Sequence, residues 1–399
     1  MDVRQAGDVE AELATHRERL LRWLLDDALP LWWSVGGDHA AGGFHEAIDL
    51  AGRPVRAERR ARVQARQIFT YAVGGELGWT GPWREAVAHG LDYFVGRYRR
   101  PDGLFWNTLS VTGEPVGPAA HLYEQAFALL ALATASGVAK APPAAEIIAE
   151  AIVERLYAER RGAAGGFTGF PDEQVYQSDP HMHLLEAALA WEGIAPGGPW
   201  GQLADEVVEL CLIRFISPRH GALLEYFDST WAPAAGTAGD AIWPGHQFEW
   251  AGLLERWALA RGRADARAVA RRLYDVGMRH GIDAKRGVAV FELAGDFSVR
   301  EPKTRLWVQT EWLKAALILA QSENDPERRR SYLGDAVAAA KALTLFLDVP
   351  VRGLWRDKLL DDGTWVDEPA PASSFYHVID ALRVLAQSSQ AQSAIVAKG

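Results

Sequence analysis

The 399-residue chain has little cysteine, no long apolar run and no excess of positive charge. Its one cysteine, Cys211, cannot form an internal disulfide, and the apolar run 207–215 around it predicts a small buried side chain. No stretch approaches the roughly 18 uninterrupted apolar residues of a membrane span, and segment 1–20 lacks the apolar core of a secretory signal. We therefore expect a cytoplasmic protein that does not contact a membrane.

The formal net charge of -10 argues against nucleic acid and anionic membranes as partners, because both require a basic face. Hydrophobic residues make up 49% of the chain, enough for a large core. Sixteen tryptophans are many for this length; they pack a wide core or hold the apolar faces of sugar rings, and composition leaves both readings open. We expect a small-molecule partner, and the sequence leaves monomer and homodimer open.

A sixfold repeat runs along the chain. Its most regular element is a glycine followed by an aromatic or aliphatic side chain, at a spacing of about sixty residues. The six positions are Gly43, Gly103, Gly166, Gly221, Gly287 and Gly353. Turn signals such as those at 50–54, 112–115 and 361–364 follow most of them, which predicts a short β-hairpin or extended loop in each repeat.

Two helical patterns of different character lie between successive loops. One set carries charged stripes opposite apolar ones and should face water, at 8–29, 84–99, 144–160, 200–216, 265–281 and 327–347. The other set is nearly apolar all round and should be buried, at 64–78, 119–136, 180–193, 245–261, 306–321 and 373–388.

This alternation predicts an all-α fold, an (α/α)6 barrel of six outer and six inner helices, with short β-hairpin loops at the active-site mouth. The competing architecture is an open solenoid, which usually has atypical polar repeats at its ends. The first and last repeats here resemble the middle ones, so closure is favoured. We expect residues 1–399 to form a single domain.

Polar residues recur where the inner helices begin, and in a closed ring these positions surround one mouth of one cavity. They are Arg66, Tyr123, Glu124, His181, His183, Glu186, His246, Glu249, Trp307, Glu311 and His377. Taken singly, a carboxylate or histidine at a helix start is most simply a cap or a satisfied core group. Six equivalent clusters are harder to explain in that way.

A metal site is one interpretation of these clusters, because histidine is a common metal ligand. His181 and His183 lie on nearly opposite sides of a helix, whereas His183 with Glu186 and His246 with Glu249 share a face, as in bundle metal sites. The sequence has no cysteine cluster, glycine-rich phosphate loop or GxSxG turn. We expect no metal and no cofactor.

At these clusters the sequence resembles the N-acylglucosamine 2-epimerase superfamily, which includes mannose isomerases, sulfoquinovose-type aldose–ketose isomerases and cellobiose 2-epimerases. The most specific element is PGHQFEW at 244–250, followed by PHMHLLEA at 180–187, RLWVQTE at 305–311 and YH at 376–377. The resemblance covers essentially the whole chain and implies an (α/α)6 barrel, in agreement with the repeat.

The resemblance implies that His246 and His377 are the catalytic acid/base pair. It also implies a substrate-binding set, to which we add the nearby carboxylates Asp179 and Glu311: Arg66, Tyr123, Asp179, His183, Glu249, Trp307 and Glu311. Two positions depart from the family pattern. Asp179 stands where the family often has asparagine, and the stretch 234–243 lacks an arginine found in some isomerases, which favours a neutral sugar.

Aldose–ketose isomerisation and C2 epimerisation both require removal of a proton beside a carbonyl, through an enediolate. Histidine is a suitable base at neutral pH, and Arg66 can stabilise the oxyanion. Glu249, one turn after His246, is expected to orient that imidazole or bind a hydroxyl. The resemblance to the isomerase branch favours conversion of free D-mannose to D-fructose, without a redox cofactor.

Four alternatives stay open at this stage. A 2-epimerase would use the same residues, and a sugar phosphate would need cations such as Arg56, Arg59, Arg60 and Arg62, which we interpret as a solvated stretch. An inverting glycosidase would need two separated carboxyl groups, which Asp179, Glu249 and Glu311 can supply. A non-catalytic binding protein would be expected to lack one of the two histidines. The contributions of the loop residues His45, Trp106, Asn107, Glu225 and Trp243 cannot be ranked from sequence.

Overall fold

Helices dominate the computed structural model, which describes residues 3–139, 144–170 and 173–396. The α-helices are α1 (Val3–Arg22), α2 (Leu29–Leu31), α3 (Ala61–Glu76), α4 (Trp83–Tyr98), α5 (Leu122–Ala139), α6 (Ala144–Glu159), α7 (Asp179–Glu192), α8 (Trp200–Leu210), α9 (Pro244–Arg261), α10 (Ala264–His280), α11 (Leu306–Ser322), α12 (Pro326–Phe346) and α13 (Ser373–Val396). Single π-helical turns extend the α1 region (Trp23–Ala28, Trp32–Gly36) and α8 (Cys211–Phe215).

The long helices form two concentric rings. Helices α3, α5, α7, α9, α11 and α13 make the inner ring, each packed against the next, and α13 packs against α3. Helices α1, α4, α6, α8, α10 and α12 lie outside them. The contact between α13 and α3 closes the ring, so the predicted (α/α)6 barrel is confirmed and the open solenoid is excluded.

Burial follows the predicted difference between the two helix sets. The inner helix α11 is buried continuously over 306–320. The outer helix α10 buries Leu273 and Val276 but turns Arg272 and Arg279 to solvent. The hydrophobic effect thus places one set between two layers and the other at the surface. Within the described residues, no helix combines the length and apolar character needed to cross a bilayer.

Short strands tie neighbouring repeats together at one end of the barrel. They are β1 (Ala47–Ile48), β2 (Arg59–Arg60), β3 (Thr108–Leu109), β4 (Tyr176–Gln177), β5 (Tyr226–Phe227), β6 (Ile282–Asp283), β7 (Val288–Ala289), β8 (Glu292–Leu293), β9 (Val299–Glu301), β10 (Thr304–Arg305), β11 (Lys358–Leu359) and β12 (Ala370–Pro371). The antiparallel pairs are β1 with β12, β2 with β3, β4 with β5, β6 with β7, β8 with β9 and β10 with β11.

The predicted hairpin turns are present, for example in the bridges from Leu109 to Pro115 and from Leu359 to Trp365. Pairing between repeats is the part that local sequence signals did not predict. Strands β2, β4, β10 and β12 each lead into an inner helix and pair with a strand of the next repeat. Because β12 of the last repeat pairs with β1 of the first, the strands close the ring between the same two repeats as helices α13 and α3 do.

The repeated glycines have a common backbone role. All six adopt a positive φ, between 67° and 91°, which glycine reaches without strain. In four repeats an inner-helix glutamine accepts a hydrogen bond from the N–H of a residue one or two positions after the glycine and donates to the carbonyl of that residue, as Gln64 does with Phe44. The other three pairs are Gln125 with Phe105, Gln247 with Leu223 and Gln309 with Ala289. Each loop is thereby fixed to the start of an inner helix.

Candidate active site

A cavity of about 420 Å³ opens where the inner helices begin. Its volume lies within the range of roughly 300–1,000 Å³ found for small-molecule sites. Eight of the nine predicted site residues line it: Arg66, Tyr123, Asp179, His183, His246, Glu249, Trp307 and His377. Residues from every inner helix thus converge on one cavity, as the sixfold polar clusters predicted.

The ninth residue, Glu311, lies behind the cavity wall. Its side chain is fully buried, and its Oε1 is 2.8 Å from Nδ1 of His377. The prediction that Glu311 binds substrate directly is therefore corrected, because His377 stands between it and the cavity.

His181 and Glu186 also differ in position from the lining residues. His181 faces the loops, where its Nε2 accepts a hydrogen bond from the backbone N–H of Phe167, and burial lowers its pKa to about 4. Its neighbour His183 faces the cavity, as expected for residues two apart on a helix. Glu186 lies beneath His183 and accepts a hydrogen bond from the hydroxyl of Tyr376.

Two histidines in the cavity each form a dyad with a buried carboxylate. Nδ1 of His246 is 2.8 Å from Oε2 of Glu225, and Nδ1 of His377 is 2.8 Å from Oε1 of Glu311. We call these pairs the His246 dyad and the His377 dyad. Each carboxylate fixes its ring through Nδ1 and leaves Nε2 for the cavity. The expectation that Glu249 orients His246 is wrong, since the carboxylate at Nδ1 of His246 belongs to Glu225, the residue directly before β5.

The surroundings of the two dyads have opposite electrostatic effects. Burial lowers the pKa of His246, but Glu225, Asp179 and Glu249 outweigh it and raise the pKa to about 9. For His377, burial acts in the same direction as nearby cations, chiefly Arg66 and Lys314, and the pKa falls well below its usual value. At neutral pH the first imidazole is therefore charged and the second is neutral.

Trp307 lies between the two dyads. Its indole ring centre is 5.3 Å from the ring of His246 and 5.7 Å from the ring of His377. A Cβ on Gly245 would lie only 2.4 Å from the indole, so the glycine of the PGH sequence is what lets Trp307 approach. Trp243 and Trp307 line the cavity while others, such as Trp250, fill the core. That the lining tryptophans hold sugar rings stays a prediction.

A cluster of charges surrounds His183 at the base of the cavity. Nε2 of His183 is 3.4 Å from Oδ1 of Asp179, and Nδ1 lies 4.0 Å from Glu249. The carboxylates outweigh burial and raise the pKa of His183 to about 9. Burial would raise the pKa of Asp179, but His183, His246 and Arg66 lower it. Asp179 is thus an anion, as the sequence predicted, and it faces two imidazolium groups.

Arg66 is held by contacts on several sides. It donates one hydrogen bond to the hydroxyl of Tyr123, at 2.9 Å, and another to the carbonyl of Ser373, at 3.2 Å. Its guanidinium lies 4.2 Å from the ring centre of Phe127. A guanidinium fixed in this way, and almost fully buried, is a preorganised donor toward the cavity.

Three further arginines, Arg60, Arg62 and Arg305, line the cavity mouth. Each pairs with a carboxylate that is more deeply buried than the guanidinium itself: the partners are Glu46, Glu124 and Asp357, at 9%, 2% and 1% side-chain exposure, against 36%, 29% and 31% for the arginines. At the cavity rim the guanidinium groups are therefore more exposed to solvent than the carboxylates that pair with them. The interpretation of these arginines as a solvated stretch is wrong for Arg59, which is buried; Arg56 is exposed, and Arg60 and Arg62 are partly exposed.

Among the residues that the structure describes, one group of side chains is close enough to hold a metal ion, namely Glu249, Glu311 and His377, whose ligand atoms lie within 4.8 Å of one another. Both carboxylate oxygens of Glu311 already have partners, however. Oε1 contacts Nδ1 of His377, and Oε2 is 2.7 Å from the ammonium of Lys314. An ammonium at that distance repels a cation, so the arrangement favours a hydrogen-bonded dyad over a metal centre.

Sequence reasoning missed the charges behind the His377 dyad. Nζ of Lys314 also lies 3.0 Å from Oδ2 of Asp380, whose other oxygen binds Arg383. A spacing signal was available, since Lys314 follows Glu311 by three residues and Asp380 follows His377 by three, which places each pair on one helix face. Glu225 gave no comparable signal, because it reaches His246 from the loop that precedes α9 and not from a helix face that the two share.

The fold and the cavity suit a sugar isomerase or epimerase, and comparison with known proteins gives that class. The family model for N-acylglucosamine 2-epimerase matches residues 42–381, and the chain belongs to that family. Among curated relatives, a protein of Rhizobium meliloti named mannose-6-phosphate isomerase is 46% identical over 368 residues, covering 91% of this chain and 95% of the relative.

Two more distant relatives also match over nearly the whole chain. A D-mannose isomerase of Thermobifida fusca is 28% identical over 406 residues, covering 93% of this chain and 94% of its own. The structure of cellobiose 2-epimerase from Spirochaeta thermophila superposes with a TM-score of 0.83 at 21% identity, covering 95% of this chain and 98% of that one. These comparisons confirm the resemblance and leave the particular sugar to the site.

Proposed function

We propose that the protein is an aldose–ketose isomerase that converts D-mannose to D-fructose, with His377 as base and His246 as acid. The observation that carries this proposal is the pair of dyads, which share one cavity but differ in protonation at neutral pH. Enzymes that separate acid and base roles do so by giving two like groups different environments.

In the proposed reaction His246 first donates a proton to the ring oxygen as the C1–O5 bond breaks. It then takes the proton that O1 loses, so that the open-chain aldehyde forms and His246 is again an imidazolium. Nε2 of neutral His377 then removes the proton from C2, and the electron pair forms the C1–C2 double bond of a cis-enediolate. Proton exchange between O1 and O2 passes through His246. His377 returns its proton to C1 on the same face, which leaves a carbonyl at C2 and gives the ketose.

Other cavity residues stabilise the substrate and the enediolate during these steps. Arg66 offers a fixed charge to the enediolate oxygen, and Trp307 offers an apolar face to the sugar between the two histidines. Nε2 of His246 is 3.9 Å from Asp179, which is too long for a hydrogen bond but leaves room for a sugar hydroxyl to bridge the two.

Epimerisation is the alternative outcome of the same enediolate. It would require His246 to return a proton to C2 from the opposite face. Hydrolysis is less well supported, because Asp179, Glu249 and Glu311 each lie beside a histidine and are not free as an acid and base pair. A non-catalytic role is disfavoured by the two complete dyads.

D-Mannose 6-phosphate is a second candidate substrate, and the arginine rim supports it. In a sugar whose C1 and C2 lie between the histidines, C6 is at the far end and points toward the mouth. Arg60, Arg62 and Arg305 line this cavity, and each is partly exposed. The relative at 46% identity carries a name for the phosphorylated sugar, whereas the stretch 234–243 lacks the arginine that some isomerases have.

The test is to incubate the purified protein with D-mannose, and separately with D-mannose 6-phosphate, in D₂O and to follow products by NMR. Ketose with deuterium at C1 supports the proposal. Glucose or glucose 6-phosphate labelled at C2, without ketose, would replace isomerisation by epimerisation. If the phosphate ester is preferred, Arg60→Met should reduce that preference and change turnover of D-mannose much less, since Arg60 is the most exposed of the three arginines and a partly exposed charge contributes little to a neutral ligand.

A further inference from the structure

The two dyads differ in what lies behind their carboxylates. In the His246 dyad, Glu225 is backed by the hydroxyl of Ser178, at 3.2 Å. In the His377 dyad, Glu311 is backed by the ammonium of Lys314, at 2.7 Å. The first backing group is neutral and the second is a full positive charge.

Lys314 is unusual for its position. It lies in the middle of the buried inner helix α11, with 4% of its surface exposed, and a lysine is almost never buried to that extent without partners. Its partners are Glu311 and Asp380, both fully buried, and Asp380 is in turn held by Arg383. Four ionisable groups are therefore kept beneath one histidine, although removing charges from water is costly.

We propose that Lys314 is a positioning residue that keeps His377 in the form of a neutral base. It does so in two ways. By occupying Oε2 of Glu311, it leaves Oε1 to accept the Nδ1–H of His377, so that Nε2 carries the lone pair toward the substrate. By its charge, it offsets the carboxylate that would otherwise favour the imidazolium.

This role rests on the proposed function, because it assigns a task to the base of that reaction. Burial and Glu249 raise the pKa of Glu311 well above its ordinary value, and Lys314 opposes part of that rise. Burial, Arg66 and Lys314 together lower the pKa of His377. The charged and titratable groups that face His377 from the neighbouring elements are Glu311 and Lys314 on α11, Arg66 on α3, His183 on α7, Glu249 on α9 and Arg305 on β10.

The experiment compares Lys314→Met, which keeps much of the stem but removes the charge, with Lys314→Arg, which keeps the charge. The acidic limb of the pH profile of kcat/KM reports the base in the free enzyme. In Lys314→Met this limb should move up by about one pH unit or more, the usual effect of one charge within a few ångströms, whereas in Lys314→Arg it should stay near the wild-type position. A merely structural role would lower kcat without moving the limb.

Because Lys314→Met leaves Asp380 without its partner, the double variant Lys314→Met with Asp380→Asn serves if the single variant does not fold. Ser178→Ala is the matched control behind the other dyad, and it should leave the acidic limb in place. Titration of the His377 ring by ¹⁵N NMR gives a readout that does not depend on turnover. If the wild-type protein makes no ketose but Lys314→Met raises the pKa of His377, the role of Lys314 is supported and the proposed function is rejected. If the variant is folded and makes ketose but the pKa of His377 does not move, the proposed function is supported and the role of Lys314 is rejected.

Discussion

The His246 dyad and the His377 dyad are alike in their hydrogen bonds. Both rings bind a buried carboxylate through Nδ1 at 2.8 Å, and both flank Trp307. They differ in the charges around them, since His246 faces Asp179, Glu249 and Glu225, whereas His377 faces Arg66 and Lys314. The comparison teaches that the second layer of charge, and not the first hydrogen bond, gives the two imidazoles opposite pKa shifts.

Removing either imidazole should have the largest effect. His246→Asn and His377→Asn should each lower kcat by about 10² to 10⁴, because each removes one of two proton-transfer groups. Circular dichroism and thermal unfolding would serve as controls for the fold. Turnover within tenfold of wild type in either variant would break the assignment of that dyad.

Changing the carboxylates tests whether the dyads are as different as their surroundings indicate. Glu225→Gln removes the carboxylate that contributes most to the raised pKa of His246, so the basic limb of the pH profile should move down from about pH 9 by about one unit or more. Glu311→Gln lacks that effect on the basic limb. Equal shifts of the basic limb in both variants would show that the two dyads are not distinguished in this way.

Gly245→Ala tests the position of Trp307 between the dyads. The added Cβ would lie 2.4 Å from the indole, so either the ring or α9 must shift, and overpacking of this kind costs about 1–3 kcal/mol of the free energy of unfolding. We expect a loss of kcat/KM of about tenfold together with that destabilisation. Gly96→Ala, on an exposed position of α4 with open space around it, is the control and should be neutral or stabilising. Full activity in Gly245→Ala would show that Trp307 need not lie where it does.

The smallest effect is expected for pH itself in the wild-type protein. His246, with its pKa raised to about 9, holds its proton up to that pH, and His377, with its pKa lowered, loses its proton well below pH 6.5. The rate constant kcat/KM should therefore change by less than about twofold between pH 7 and 8, rise through an acidic limb below this range and fall as the pH passes about 9. A narrow maximum near pH 6.5 would indicate two ordinary histidines.

The fold could be predicted from sequence because its signals are local and repeated. Glycines at a spacing of about sixty residues, such as Gly43 and Gly103, mark turns that require a positive φ, and the apolar periodicity of α5 or α11 marks a buried helix. The pairing of β12 with β1 was not predictable in the same way, since it joins residues about 320 positions apart, beyond the reach of any local propensity.

The site was predictable only in its first layer. His246 and Trp307 stand out because polar or ring-bearing residues recur at equivalent helix starts. Glu225 comes from a loop in a different position of the repeat and meets His246 only in the folded barrel, so Glu249, which is close in sequence, was a misleading choice. The protonation of each histidine is set by burial and by charges on several helices, and neither is encoded in spacing.

The central claim is that the two dyads hold opposite protonation states. The most direct measurement is ¹⁵N NMR of the histidine side chains at pH 7.5, with the two signals assigned through His246→Asn and His377→Asn. We expect His246 to appear as an imidazolium with both nitrogens protonated, and His377 as a neutral ring protonated at Nδ1. Two rings in the same protonation state would contradict the assignment of acid and base.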